Sequence, residues 1–144
     1  MKRRTARENA FIAAFEAAFR PEDLEEIIAY SRECGEYALD EYGEQLLRAM
    51  AANTKQIDGM IEAKLKDWTL RRLPKVNVTI LRLALAEMRF VPSEENMDSI
   101  VINEAVELAK KYAGDGDYQF INGVLGALSR DGEAGAAQSA DGTA

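Results

Sequence analysis

The chain has 144 residues, a net charge of −7, one cysteine and no histidine. Without histidine it lacks the commonest general base and the commonest nitrogen ligand for metals, and one thiol can form neither an internal disulfide nor a cysteine zinc site. These absences argue against an enzyme, a metalloprotein or a cofactor-binding protein, and no apolar run approaches the ~20 residues that span a membrane. We therefore expect a cytoplasmic protein that acts by binding, with no metal and no cofactor.

The acidic residues are concentrated in one segment of the chain. Residues 21–44 contain nine acids and one cation, a net charge of −8, so the remainder carries about +1 (−7 minus −8). The first seven residues contain four cations and no acid: Lys2, Arg3, Arg4 and Arg7. Because salt screens charges beyond ~8–10 Å, this local cluster can bind an anion although the whole chain is negative.

Apolar residues recur at helical spacing throughout the first half of the chain. Residues 5–8 have the form of a capping box, which predicts that the first helix begins at Thr5 and ends before Pro21. Pro21 suits the first turn of a second helix that ends near residue 34. A third helical region over 37–65 is divided at Asn53 into two helices.

The second half of the chain also has helical spacing. A strongly apolar helix follows Pro74, and another begins with a cap at Asp98 or Ser99. A glycine-rich turn over 114–117 precedes the last helix. The composition after this helix predicts a disordered tail over 131–144. Apolar and polar residues do not alternate over a stretch long enough to indicate a β-strand, so the sequence predicts an all-α fold.

Three residues, Trp68, Gly123 and Gly126, carry specific packing expectations. Trp68 lies between the two halves of the chain, and we expect it to fill a core position there. Gly123 and Gly126 lie inside the last helix, where each costs roughly 1 kcal/mol relative to alanine. A close approach of another helix would explain both glycines.

Four sequence blocks occur in a suggestive order. Residues 78–88 read VTILRLALAEM, residues 102–112 read INEAVELAKKY, residues 120–125 read FINGVL, and residues 3–8 read RRTARE. Together they resemble the NusB family, whose members show ILR-A-x-x-E, INEA-ELAK and F-NGVL blocks after an arginine-rich start. The resemblance covers about residues 3–129.

The resemblance implies a fold and a function. The fold is a single domain over 1–130, made of two packed subdomains at about 5–66 and 68–130, each built around a three-helix bundle. The function is transcription antitermination: the family binds boxA single-stranded RNA of nascent ribosomal transcripts with the ribosomal protein NusE, and the pair joins other Nus factors at RNA polymerase. Some members pair with themselves, so monomer and homodimer are both open.

The cations of the first seven residues, Lys2, Arg3, Arg4 and Arg7, are the first RNA-binding candidates. Phosphates need cations, and a guanidinium also offers a planar fork to bases. The alternative is a frayed, solvated terminus. In the family a lysine often precedes the phenylalanine of the F-NGVL block, and here that residue is Gln119, which predicts weaker RNA binding by the isolated chain.

Two aromatic residues are further RNA-binding candidates, because single-stranded RNA is bound largely by stacking. Phe120 is one position off the apolar stripe of the last helix and resembles a base-contacting position of the family. The alternative is a core aromatic. Phe15 stands where the family often has tyrosine, and for Phe15 the core role is favoured.

Arg82, Glu87 and Glu104 lie on the motif helices and are candidates for contact with NusE. The alternative for Glu104 is an ordinary contact on the helix surface. The alternative function is a helical protein–protein interaction module of the same fold without RNA binding, which the acidic composition favours. NusB-like domains also occur fused to RNA methyltransferases, but this chain lacks a glycine-rich cofactor turn and room for such a domain.

Overall fold

The computed structural model describes residues 1–33, 35–91 and 97–142, with side chains described as far as residue 132. No strand occurs within these ranges, which confirms the prediction of an all-α fold. Short 3₁₀ turns at Pro21–Asp23 and Leu70–Arg72 separate some of the α-helices. The helices are α1 Arg3–Phe19, α2 Leu24–Glu33, α3 Glu41–Ala52, α4 Thr54–Glu62, α5 Lys75–Phe90, α6 Asp98–Tyr112 and α7 Asp117–Gly142.

Helix α5 lies at the centre of the molecule. It packs against α1, α3 and α4 from the first part of the chain and against α6 and α7 from the second. Its apolar residues Ile80, Leu81 and Leu85 are at most 1% exposed, so the helix is buried nearly all round. The contacts of α1 with α2 and α3, and of α5 with α6 and α7, form the two packed three-helix bundles that the resemblance implies. The subdomain boundary near residue 67 stays a prediction.

The start of α1 differs from the prediction. The helix begins at Arg3, with Lys2 as its N-cap and no side-chain cap, so Thr5 lies inside the helix and the predicted capping box is wrong. The backbone N–H of Ala6 donates to the Lys2 carbonyl at 2.9 Å. Arginine is a good helix former, and the ion pairs of Arg4 and Arg7 described below stabilise this extra turn.

The break at Asn53 is confirmed. Asn53 ends α3 and donates its side-chain amide to the Ala49 carbonyl at 2.8 Å. The predicted start of this region at residue 37 is wrong: Tyr37 has a φ of 62°, which a right-handed helix does not admit. The helix begins only at Glu41, where the Asp40 carboxylate accepts a hydrogen bond from Gly43 N at 2.7 Å.

Two packing expectations are wrong. Trp68 is 54% exposed and does not fill a core position. A Cβ at Gly123 would meet no atom within 4 Å, and one at Gly126 would meet only the end of Arg130 at 3.5 Å. Close helix approach therefore explains neither glycine.

A glycine with close neighbours lies instead at the start of α3. A Cβ at Gly43 would come within 3.1 Å of the Leu39 side chain and 3.4 Å of the Ala6 carbonyl. The Ala6 contact is an ordinary van der Waals distance, and the tighter contacts are with Leu39 and the capping Asp40, at 3.1 and 3.2 Å, so glycine is favoured at the start of α3.

The start of α6 differs from the prediction. Asp98 is the first residue of α6 and Met97 its N-cap, so the predicted side-chain cap at Asp98 or Ser99 is wrong. The structure continues α7 as backbone to Gly142, and the disorder of 131–144 stays a prediction. The predicted end of the second helix near Cys34 falls on a residue outside the described ranges.

Of the described helices, none has the length and apolar character needed to cross a membrane.

Candidate nucleic-acid interface

The N-terminal cations occupy the first turns of α1. Lys2 and Arg4 are exposed, whereas Arg3 is partly covered. The Arg3 guanidinium lies over the ring of Tyr42, with its Cζ 3.5 Å from the ring centroid. Arg4 donates from Nε and Nη2 to the two carboxylate oxygens of Glu104 on α6, at 2.9 and 3.2 Å. This two-point contact raises the pKa of Arg4, so the guanidinium remains charged.

Arg7 is turned inward rather than toward solvent. Its Nε donates to both carboxylate oxygens of Glu87 on α5, at 2.9 and 2.8 Å. The Tyr42 hydroxyl donates to the same carboxylate at 2.5 Å. The side chains of Arg7 and Glu87 are only 8% and 3% exposed, so this pair joins α1 to α5 inside the protein.

A second set of contacts joins α1 to the end of α6. Lys111 Nζ and the Tyr112 hydroxyl both donate to the Glu8 carboxylate, at 2.6 and 2.8 Å. The hydrogen bond from Lys111 is the main reason why the pKa of Glu8 lies below its ordinary value. Burial is the main reason why the pKa of Tyr112 is raised.

The contacts of α1 with α6 enclose a surface cleft of about 360 Å³. Its walls contain four cations and three carboxylates, with Leu108 between them. Since Arg7 is neutralised by Glu87, the remaining charges of the cleft balance. The charged lining residues are Arg4, Arg7, Glu8, Glu104, Glu107, Lys110 and Lys111.

Aromatic rings extend this surface onto α7. Lys110 Nζ lies 5.1 Å from the ring centroid of Tyr118, and Phe120, in the first turn of α7, is 36% exposed. The turn before these rings needs Gly116, whose φ is 82°. The start of α7 therefore presents the Tyr118 ring beside Lys110 of α6, and it exposes the Phe120 ring to solvent.

Phe15 occupies a different environment. It is half-buried, stacked on Phe11 with centroids 6.1 Å apart, and contacts Phe19 edge-on at 5.1 Å. It lies roughly 17 Å along α1 from Arg4 at 1.5 Å per residue. This placement agrees with the favoured core role of Phe15.

The three residues predicted to contact NusE are not brought together. Glu87 is buried against Arg7, and Glu104 holds Arg4. Arg82 lies on α5 beside α4, where it donates to both carboxylate oxygens of Asp58 at 2.7 and 2.8 Å. Arg82 thus faces a separate groove, and Glu87 and Glu104 support the N-terminal arginines.

Sequence reasoning missed three residues of the interface. At helical spacing, Lys110 and Lys111 look like ordinary surface partners of Glu107; Lys110 does lie 3.6 Å from Glu107, whereas Lys111 pairs with Glu8. Tyr118 carries no motif signal. The one sequence signal that could have identified Lys110 and Lys111 is that they are adjacent cations at the end of the INEA-ELAK block. In the part of the chain with described side chains, no cluster of metal-ligating residues occurs.

Comparisons with known proteins identify the family. The model of the NusB family matches residues 4–130. The chain belongs to the NusB family. This confirms the resemblance, and the matched range includes Arg4, the cleft and both bundles.

Several NusB relatives cover nearly the whole chain. Transcription antitermination protein NusB of Clostridium botulinum is 35% identical over 142 residues, covering 89% of this chain and 99% of that protein. The Clostridium acetobutylicum protein of the same name is 38% identical, covering 92% and 98%. A Crocosphaera subtropica NusB is 49% identical over 90 residues, which span 62% of this chain and 42% of that longer protein.

Solved NusB structures have the same fold. NusB of T. maritima superposes with a TM-score of 0.78 at 31% identity, covering 90% of this chain and 92% of that one. A structure of the antitermination factors NusB and NusE in complex with double-stranded RNA superposes with a TM-score of 0.73 at 31% identity, covering 90% and 96%.

Proposed function

We propose that this NusB-family chain is a transcription antitermination factor that binds boxA-type single-stranded RNA of nascent ribosomal transcripts together with NusE. The row of cations along α1 and α6, Arg4, Lys110 and Lys111, carries the proposal. The names of the relatives and the similar structure that contains NusB, NusE and RNA support it. The proposal entails a binding role without catalysis, in the cytoplasm and at RNA polymerase with other Nus factors.

The cleft could bind RNA phosphates in place of its own carboxylates. Each cation in it contacts a carboxylate or lies near one, and a phosphate can replace that carboxylate. The rings of Tyr118 and Phe120 lie where bases of a single strand could stack. Cations for phosphates beside rings for bases are the combination that single-stranded RNA requires.

For NusE we propose the groove that contains Arg82. It lies between α4, α5 and the end of α1, measures about 410 Å³, and is lined by Asp58, Arg71 and Lys75 besides Arg82. It shares no lining residue with the cleft of Arg4, so RNA and a protein partner could bind together. Glu87 and Glu104 then pair with arginines of α1 and do not contact NusE. A homodimer is the alternative to a monomer, and sedimentation of the free chain distinguishes the two.

The test is a titration of labelled boxA RNA with the chain, with and without NusE, at two salt concentrations. A Lys2→Ala/Arg4→Ala variant removes two exposed cations of the interface. A Lys55→Ala/Lys66→Ala variant is the matched control, because it removes two exposed cations on and after α4. An RNA duplex of the same sequence measures the preference for single strands.

We expect salt-sensitive binding that NusE strengthens. The interface variant should bind roughly tenfold more weakly, because it loses two phosphate contacts, while the control stays near the wild type. If the wild type binds NusE but no RNA, the proposal fails. The protein is then the helical interaction module, the second function that the acidic composition favours.

A further inference from the structure

A second groove, with a different chemistry from the cleft, lies between α6 and α7. It measures about 470 Å³, and all the residues that line it are uncharged, although charged residues make up 30% of the chain. We call it the amide groove, because three side-chain amides line it together with a phenol ring and two aliphatic side chains: Asn103, Gln119, Asn122, Tyr118, Ile102 and Val106. The groove therefore offers hydrogen bonds and apolar surface but no ion pair.

Two of these amides have no role in holding the fold together. Asn103 and Asn122 are exposed, and among the residues with described side chains none forms a hydrogen bond with either amide. Asparagine is also a poorer helix former than alanine. Each amide carries donors and an acceptor, so the pair can form hydrogen bonds with a ligand without breaking any contact within the protein.

The amide groove continues the surface of the cleft. Lys110 lines the cleft and lies on the same stripe of α6 as Asn103 and Val106, because residues spaced by three, four or seven share a helix face. Lys110 Nζ also lies 5.1 Å from the ring centroid of Tyr118, which lines the groove. Along α6, Asn103 is roughly 10 Å from Lys110 at 1.5 Å per residue. An RNA strand with a phosphate at Lys110 can therefore continue into the groove.

The lining of the amide groove suits bases rather than phosphates. A phosphate needs a cation, and none lines this groove. The edges of bases carry donors and acceptors that asparagine and glutamine amides complement, and their faces stack on rings such as that of Tyr118. The two aliphatic side chains, Ile102 and Val106, are half-buried and offer little apolar surface to a protein partner.

We propose that the amide groove binds unpaired bases of the same RNA strand that lies in the cleft, with Asn103 and Asn122 contacting the edges of those bases. This inference rests on the proposed RNA-binding function and adds a base-binding subsite to it. The cleft then binds phosphates through its cations, and the groove reads neighbouring bases through neutral groups.

The test is an abasic scan of boxA RNA extended by a few nucleotides at each end, with NusE present. Each abasic position removes one base and keeps its phosphate. The scan is made with the wild type, with Asn103→Ala/Asn122→Ala, and with Gln45→Ala/Gln56→Ala as the matched control. The control removes two exposed amides on α3 and α4. Urea unfolding and NusE binding of each variant are measured separately.

We expect Asn103→Ala/Asn122→Ala to weaken RNA binding about two- to tenfold, the range of one net hydrogen bond. It should be at least as stable as the wild type, because alanine is the better helix former. The slope of log K against log salt concentration should not change, because no charge is removed. At one or two positions, loss of the base should weaken binding by the wild type and the control but not by the asparagine variant.

Two results would overturn the inference and leave the proposed function standing. One is that every abasic position weakens binding equally in the asparagine variant and in the wild type. The other is that the asparagine variant loses affinity for NusE, which would make the groove a protein contact. Absence of RNA binding by the wild type overturns the proposed function and this inference with it.

Discussion

Arg7 and Glu87 form an ion pair inside the protein although 80 residues separate them along the chain. Arg7 Nε lies 2.8 and 2.9 Å from the two carboxylate oxygens, and the Tyr42 hydroxyl completes the group. Arg7, one of the four N-terminal cations, thus links α1 to α5. The arginines before it are thereby held at a defined place on the surface.

Removing one partner of this pair should destabilise the fold strongly. Glu87→Ala leaves a buried guanidinium without its counter-charge, so we expect the free energy of unfolding in urea to fall by about 3–5 kcal/mol. Arg7→Met/Glu87→Leu removes both charges and should lose clearly less. A loss below about 1 kcal/mol in Glu87→Ala would show that the pair does not fasten the helices.

Glu104 should compete with RNA for Arg4. Glu104→Gln removes the carboxylate that holds Arg4 at 2.9 Å, so RNA affinity should rise by up to about fivefold, the scale of an exposed ion pair. Glu25→Gln is the matched control, because it removes one of the two carboxylates that hold an exposed arginine, Arg48, which is not among the residues that line the cleft. A decrease in RNA affinity in Glu104→Gln would mean that Glu104 positions Arg4 and does not compete for it.

Two glycines should respond in opposite ways to alanine. In Gly43→Ala the new methyl meets Leu39 at 3.1 Å and Asp40 at 3.2 Å, which should cost about 1–3 kcal/mol. Gly59 lies in α4, where a Cβ meets no atom within 4 Å, so Gly59→Ala should gain about 0.4–1 kcal/mol. Thermal unfolding of the two variants checks the order, and a stabilised Gly43→Ala would refute the tight packing of Gly43 against Leu39 and Asp40.

Phe120 should contribute to RNA binding by stacking. A stacked base is worth about 1–3 kcal/mol, so Phe120→Ala should weaken boxA affinity at least about fivefold with little loss of stability, since the ring is 36% exposed. Tyr30→Ala, at an exposed ring on α2, serves as the control for loss of an aromatic residue. Equal affinities of Phe120→Ala and the wild type would remove Phe120 from the interface.

The sequence predicts the features that depend on local chemistry. Proline at position 21 and the pair Asn53-Thr54 mark helix boundaries through backbone restrictions, and both boundaries occur in the structure. The spacing of apolar residues predicts the helices, and the resemblance of the four blocks to the NusB family implies how the helices pack into two bundles. The cations at positions 2–4 predict an exposed, charged start of the chain, because charged side chains are seldom buried.

The features that depend on distant partners could not be predicted. Nothing near Arg7 indicates that its partner is Glu87, so its burial becomes visible only when α1 packs on α5. Trp68 is expected in the core because its side chain is large and aromatic, but in the structure that side chain is 54% exposed. The close-packing role expected of Gly123 belongs to Gly43, because helix contacts are set by the whole arrangement.

The central claim, that RNA phosphates bind along α1 and α6, is tested most directly by the salt dependence of boxA affinity in an Arg4→Ala/Lys111→Ala variant. Each phosphate contact to a single strand contributes about 0.7 to the slope of log K against log salt concentration. The account predicts that the slope falls by about 1.4 in this variant and stays at the wild-type value in Lys55→Ala/Lys66→Ala. A slope equal to that of the wild type in Arg4→Ala/Lys111→Ala would contradict it.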